Sequence, residues 1–262
     1  MGRALLEGWL DRGVPASAIT VVEPDQARLG DLAGRGVTIV PAAGGVEPSA
    51  APDVVVLAVK PQVMSSLLGD YRRFTAEGGG EAVFLSIAAG RTIGGMAAIL
   101  GDATPIVRAM PNTPAAVRRG ISVACANPAA DAHRRSICET LLAAVGSVLW
   151  VDDEALLDPV TAVSGSGPAY VFLLAECLAE AGRAAGLPPE LAERLARETV
   201  TGAGELLARS DLPPEQLRRN VTSPGGTTAA ALSILADPAT GLAPLMCHAV
   251  AAASRRAGEL AG

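Results

Sequence analysis

The chain has 262 residues, half of them hydrophobic, which is enough for one large domain or two modest ones with real cores. No apolar run reaches the roughly 18 residues of a membrane span, and the N-terminus lacks the basic, apolar, small-residue order of a signal peptide. The expected compartment is the cytoplasm. A net charge of −6, balanced over residues 1–150 and acidic beyond, argues against a nucleic-acid surface.

The cysteines, Cys125, Cys138, Cys177 and Cys247, form no C-x-x-C pair, so neither zinc nor a disulfide framework is expected. His133 and His248 lie far apart, which removes a metal cluster and a histidine-based triad from the expected chemistry.

The opening segment "MGRALLEGWL" reads as a helix, with apolar residues recurring at Ala4, Leu5, Trp9 and Leu10, near helical spacing. Nucleotide-binding α/β domains usually open on a strand and a glycine-rich turn before such a helix. Here no strand precedes it. "AITVVEPD" (18–25) reads as a strand ending at Glu23, and "QARLGDLAGRG" (26–36) as a helix closed by glycine. "PDVVVLAVKPQ" (52–62) is a buried strand stopped by Pro61, and "EAVFLSIAAG" (81–90) is another, followed by a helix from Thr92. "TPIVRAMPNTPA", "GISVACA", a helix near 129–144 and the strand "GSVLWVDD" complete an alternating pattern, which predicts a doubly wound α/β sheet. Beyond Asp152 only helical segments are found, rich in Ala and Leu. The expected domains are 1–151, dinucleotide-binding, and 152–262, all-helical. So apolar a helical half, with few aromatics, suits a face buried against a partner subunit.

Four segments carry candidate chemistry. Ligands of doubly wound sheets lie beyond the carboxyl ends of the strands. Lys60, the single lysine, follows the 52–62 strand at that height, although a solvated loop lysine fits as well. Glu23 ends its strand where an acidic side chain can accept from a ribose 2′-hydroxyl and repel a 2′-phosphate, which tilts towards NADH. "SGSGPAY" (164–170) packs four small residues, Ser164 to Gly167, before Pro168, more freedom than a turn needs. "NVTSPGGTTAAAL" (220–232) bends tightly before a helix that Thr227 or Thr228 can cap. Free N–H groups there make an anion site for a small carboxylate, with hydroxyls from Ser223, Thr227 and Thr228.

"AVKPQ", "SIAAG", "MPNTPA", "VTAVSGSGPAYVF" and "NVTSPGGTTAAAL", in this order and spacing, make the whole chain resemble pyrroline-5-carboxylate reductases. That family begins with a strand and a G-x-G-x-M-G turn, and Met1-Gly2 match the last two residues of the turn. The resemblance thus implies that the first strand and first glycines are absent here, as when translation is assigned to an internal Met codon. Carried onto this chain, it implies cofactor contacts at Gly2, Glu23, Ala58, Val59, Lys60, Pro61, Ile87, Ala88, Ala89 and Asn220, with NADPH or NADH as cofactor. Substrate contacts are implied at Glu154, Thr227 and Thr228, and the turn reading adds Ser223, Gly225 and Gly226. Where relatives often carry an Asn on the adenine side, this chain has Gly44 or Gly45.

The implied reaction is hydride transfer to the C=N carbon of pyrroline-5-carboxylate, giving L-proline, with Thr228 facing the ring nitrogen and no metal involved. The implied assembly is a homodimer through the helical halves, often built into larger rings, in which a neighbour completes the active site. Three other readings compete, of which a binding or regulatory module without turnover has no positive feature in the sequence. A hydroxyacid dehydrogenase on this architecture would use a lysine in the helical domain, and residues 151–262 contain none. A non-catalytic helical dimer with a vestigial nucleotide domain fits the absent strand but not the S-P-G-G-T-T turn.

Overall fold

The computed structural model describes residues 1–47, 49 and 51–261. The chain divides into two compact units, Met1–Gly165 with the segment from Ser254, and Ser166–Ala253.

The first unit begins with α1 (Gly2–Asp11) and β1 (Thr20–Val22). The expected helix over 26–36 is instead a run of 3-10 turns, Gln26–Arg35, broken where Gly30 takes φ 42° and closed by Gly36 in the left-handed region. It leads to β2 (Thr38–Val40). Then follow β3 (Val54–Leu57), α2 (Pro61–Leu67), β4 (Val83–Ser86), α3 (Ile93–Leu100), β5 (Ile106–Met110), β6 (Gly120–Ala126), α4 (Ala132–Ala143), β7 (Gly146–Trp150) and the short α5 (Leu157–Val160).

The strands form two ladders. β1 and β2 pair in parallel, Thr20 opposite Thr38. β3 to β7 form a five-stranded sheet in chain order. Its pairs are parallel except β5–β6, which run antiparallel with Val107 opposite Ala126. That exception departs from a strictly alternating βα pattern: only 3-10 turns over Thr113–Val117 separate the two strands, too little for a parallel crossover. The rest is the expected doubly wound, Rossmann-type arrangement.

The two ladders share both faces. On one, α1 covers the strands, with Leu5 packed among Val54, Val56, Val83 and Leu85 and Leu6 among Val21 and Ile39. On the other, Val22 and Val40 join a core with Val55, Leu57, Met64 and Phe84. Yet among the described residues no ladder joins β1 to β3. The sheet is interrupted between β1 and β3.

The second unit is helical: α6 (Gly167–Ala184), α7 (Pro189–Arg209), α8 (Pro214–Asn220), α9 (Thr227–Leu235) and the start of α10 (Leu242–Ala261), whose last turns belong to the first unit. Prolines at the first helical positions of α7 and α8 fit because their missing N–H is one of the unpaired donors there.

Candidate active site

In the first unit, the candidate cofactor residues gather at the carboxyl ends of β1, β3 and β4. Gly2 starts α1 so close to β3 that a Cβ on it would stand 2.9 Å from the Cβ of Ala58. A side chain there would have to displace the loop, so the residue type is set by the close approach. Lys60 is exposed, directly precedes α2, and accepts with its carbonyl from the Val63 N–H at 3.1 Å. Pro61 is the first helical residue.

The next loop, Ile87 to Arg91, is held against this one. The Ile87 N–H donates to the Leu57 carbonyl (3.1 Å), and Arg91 Nε donates to the Pro61 carbonyl (2.8 Å). Ile87 and Ala88 are buried and Ala89 half-buried. Gly90 takes φ 66°, and a Cβ there would lie 2.7 Å from the Leu260 carbonyl in the last turn of α10.

Glu23 follows β1. Its N–H donates to Val40 (3.0 Å), and its Oε1 accepts from the Asp25 N–H (2.9 Å), so the carboxylate bends over its own loop. On the far side of β2, Gly44 and Gly45 lie in a single 3-10 turn, Ala43–Gly45, which Arg73 secures through the Ala43 and Val46 carbonyls.

Glu154, an expected substrate contact, accepts with its Oε1 from the Ile93 N–H and from Arg108 Nη1, each at 2.8 Å. The Arg108 side chain is 6% exposed and Glu154 27%, and Asp158 stands 3.9 Å from Arg108 Nη2. Sequence reasoning passed over both Arg108 and Asn112. Asn112, nearly buried, accepts from the Ile121 N–H (3.0 Å) and donates to the Ser164 carbonyl (3.2 Å). Ser164 lies in a π-helical turn, Thr161–Gly165, and this is the form the "SGSG" freedom takes. A polar residue inside the β5 run "IVRAM" was the available signal for Arg108.

In the second unit, Asn220 ends α8, where its Oδ1 accepts from Gln216 (2.8 Å). Gly225 takes φ 71°, and the Gly226 N–H turns back to the Ser223 carbonyl at 3.0 Å. The cap of α9 is Gly226, not a threonine. Thr227 and Thr228 are already the first two helical residues, so neither hydroxyl can reach forward to cap the helix. The α9 ladder begins with the Ala230 N–H on the Gly226 carbonyl (3.1 Å), and the preceding N–H groups have no partner within the helix. The turn therefore presents N–H groups at the positive end of a helix dipole, with Thr227 exposed and Thr228 half-buried beside them.

The chain matches two family models: pyrroline-5-carboxylate reductase dimerisation over residues 154–260, and NADP oxidoreductase coenzyme F420-dependent over residues 1–90. It is 42% identical to a Pseudomonas aeruginosa protein named pyrroline-5-carboxylate reductase, covering 100% of this chain and 93% of that one. A Glycine max protein of the same name is 36% identical, with 99% and 92% covered. Among solved structures, a pyrroline-5-carboxylate reductase from Coxiella burnetii superposes with TM-score 0.92 at 36% identity, over 100% of this chain and 95% of that one. A Plasmodium falciparum pyrroline carboxylate reductase with NADP bound gives 0.82 at 28% identity, again over 100% and 95%.

Proposed function

The chain belongs to the pyrroline-5-carboxylate reductase family, and from that premise we propose how its residues divide the work. The reaction is reduction of L-1-pyrroline-5-carboxylate to L-proline, and NADPH or NADH, when bound, supplies the hydride for the C=N carbon.

The residues present fit such a cofactor. Gly2 lets the start of α1 pack closely on Ala58, and two tied loops, Ala58–Pro61 and Ile87–Ala89, lie beyond strand ends. Glu23 offers a carboxylate to the adenosine ribose, and Asn220 adds a contact from the helical half. We place the cofactor domain at 1–151 and the substrate and dimerisation domain at 152–262, with a homodimer, and larger rings of dimers, in the cytoplasm.

The single observation that carries the substrate assignment is the turn before α9. The substrate carboxylate binds at the N–H groups of Gly225, Thr227 and Thr228, with the Ser223 hydroxyl beside it. The Gly226 N–H is already taken by Ser223 and holds the turn. The Thr228 hydroxyl faces the ring nitrogen and keeps a proton there. A protonated C=N accepts hydride readily, so no strong general base is required, in keeping with a site built without histidine.

Oxidation of NADPH and NADH followed at 340 nm with pyrroline-5-carboxylate tests the assignment. Turnover falls about 10²-fold in Thr228→Ala, the size of a positioning and proton-transfer group. Near-normal turnover with unchanged affinity in that variant would refute the role.

A further inference from the structure

We infer that Glu154, held by Arg108, is a positioning residue for the cofactor loop Ile87–Arg91. The inference rests on the reading that this loop holds the cofactor.

The loop joins β4 to α3, and hydrogen bonds fix it at both ends. Its start hangs on the Leu57 carbonyl through Ile87, and its far end is tied to Pro61 through Arg91. At α3 the first-turn donors are shared out. Thr92 Oγ1 accepts from Gly95 at 3.1 Å, and Glu154 accepts from Ile93, the first helical residue, at 2.8 Å. A carboxylate at that end is favoured by the dipole of the helix as well as by the hydrogen bond.

Glu154 cannot turn away without leaving Arg108 in the sheet with a buried guanidinium and, among the described residues, only the Asp158 carboxylate, at 3.9 Å, to pair with it. Removing one partner of a buried pair is costly because the other charge stays buried. So the rotamer of Glu154 is fixed from the Arg108 side, and Ile93 is fixed from the Glu154 side. The end of α10 lies at the same joint: a Cβ on Gly258 would stand 3.4 Å from Asp158 Oδ2, and one on Gly90 2.7 Å from the Leu260 carbonyl.

The test uses Glu154→Gln, which keeps an acceptor for Ile93 but loses the charge facing Arg108, and Glu154→Ala, which loses both. Three quantities are read: the Kd of NADPH without substrate, by nicotinamide fluorescence; the KM of pyrroline-5-carboxylate at saturating cofactor; and backbone amide exchange over residues 87–95 in the cofactor-free protein.

For Glu154→Ala the cofactor Kd rises about ten-fold, as loss of a charge-assisted hydrogen bond implies. Exchange at Ile93 and in the loop accelerates, and the imine KM stays within about two-fold under the same reasoning. Glu154→Gln falls between this variant and the parent. A large rise in imine KM with unchanged cofactor Kd, or unchanged exchange over 87–95, overturns the inference. If Glu154→Ala does not fold, Glu154→Gln and Arg108→Lys carry the same readouts. Cofactor binding and exchange need no turnover. Failure of the parent protein to reduce the imine would strike the family reading and leave this result legible.

Discussion

Cys138 lies on α4 with its sulfur in the core beside Leu5, Leu142 and Val145, and burial pushes its thiol up to about 12. An unfolded chain releases this proton from about pH 8.5 upward. Between there and about 12 the native state holds more protons than the unfolded one, so its stability falls as pH rises. The slope from one such group is at most about 1.4 kcal/mol per pH unit. Urea midpoints at pH 8, 9 and 10 should therefore decline more steeply for the parent than for Cys138→Ala. Burial pushes Cys125 and Tyr71 up as well, and both remain in the variant, so the difference isolates Cys138. Residue types of this kind are legible in a sequence, whereas partners are not. Glu154 stands out as an acidic residue after the last strand, but its acceptor role joins it to Ile93, 61 positions away, and to Arg108, 46 away. No local spacing encodes either contact. Thr227 illustrates the opposite limit: Thr and Gly both suit a cap, and only the backbone of the turn assigns the cap to Gly226.

The strands were legible because parallel strands covered on both faces read as short continuous apolar runs, as "VVVL" and "VFLS" do. The 26–35 segment was misread as a helix because its apolar spacing is helical. Gly30 at φ 42° breaks the hydrogen-bond ladder and leaves 3-10 turns. The direction of β6 was not legible, since a buried strand looks the same either way up. The interruption of the sheet makes a prediction at this scale. Ile19 and Glu23 bond to β2, and Asp53 and Leu57 bond to β4. By the alternation of a parallel ladder, the N–H groups of Thr20, Val22, Val54 and Val56 then point to the interruption, with no strand partner among the described residues. Their amides should exchange orders of magnitude faster than those of Phe84 and Leu85, which lie between two paired neighbours. Equal protection at the two sets, measured by hydrogen exchange with NMR, would mean that another segment pairs with these edges in solution.

At the scale of the molecule, the helical unit exposes more apolar surface than a lone folded unit tolerates. Val171, Phe172, Leu173 and Leu174 are consecutive on α6, and each is about half exposed or more. Four consecutive positions on an α-helix point to all sides, so the α6–α7 hairpin can cover only part of them. The stretch Glu154–Ala184 is, by length and composition, apolar enough to cross a membrane, which the absence of an uninterrupted apolar run did not suggest. The chain matches the family's dimerisation model over 154–260, and in the proposed homodimer this apolar surface is the subunit interface. Phe172→Glu would place a carboxylate in such an interface, where an unpaired charge is not tolerated. It should yield monomers by light scattering at concentrations where the parent is dimeric. Turnover discriminates further. If a neighbour's helical half completes the site, as the family resemblance implies, activity should fall with the dimer fraction and return as concentration drives reassociation. A monomer with full turnover would show instead that Thr228 and the cofactor loops of one chain serve each other, and that the interface contributes stability alone.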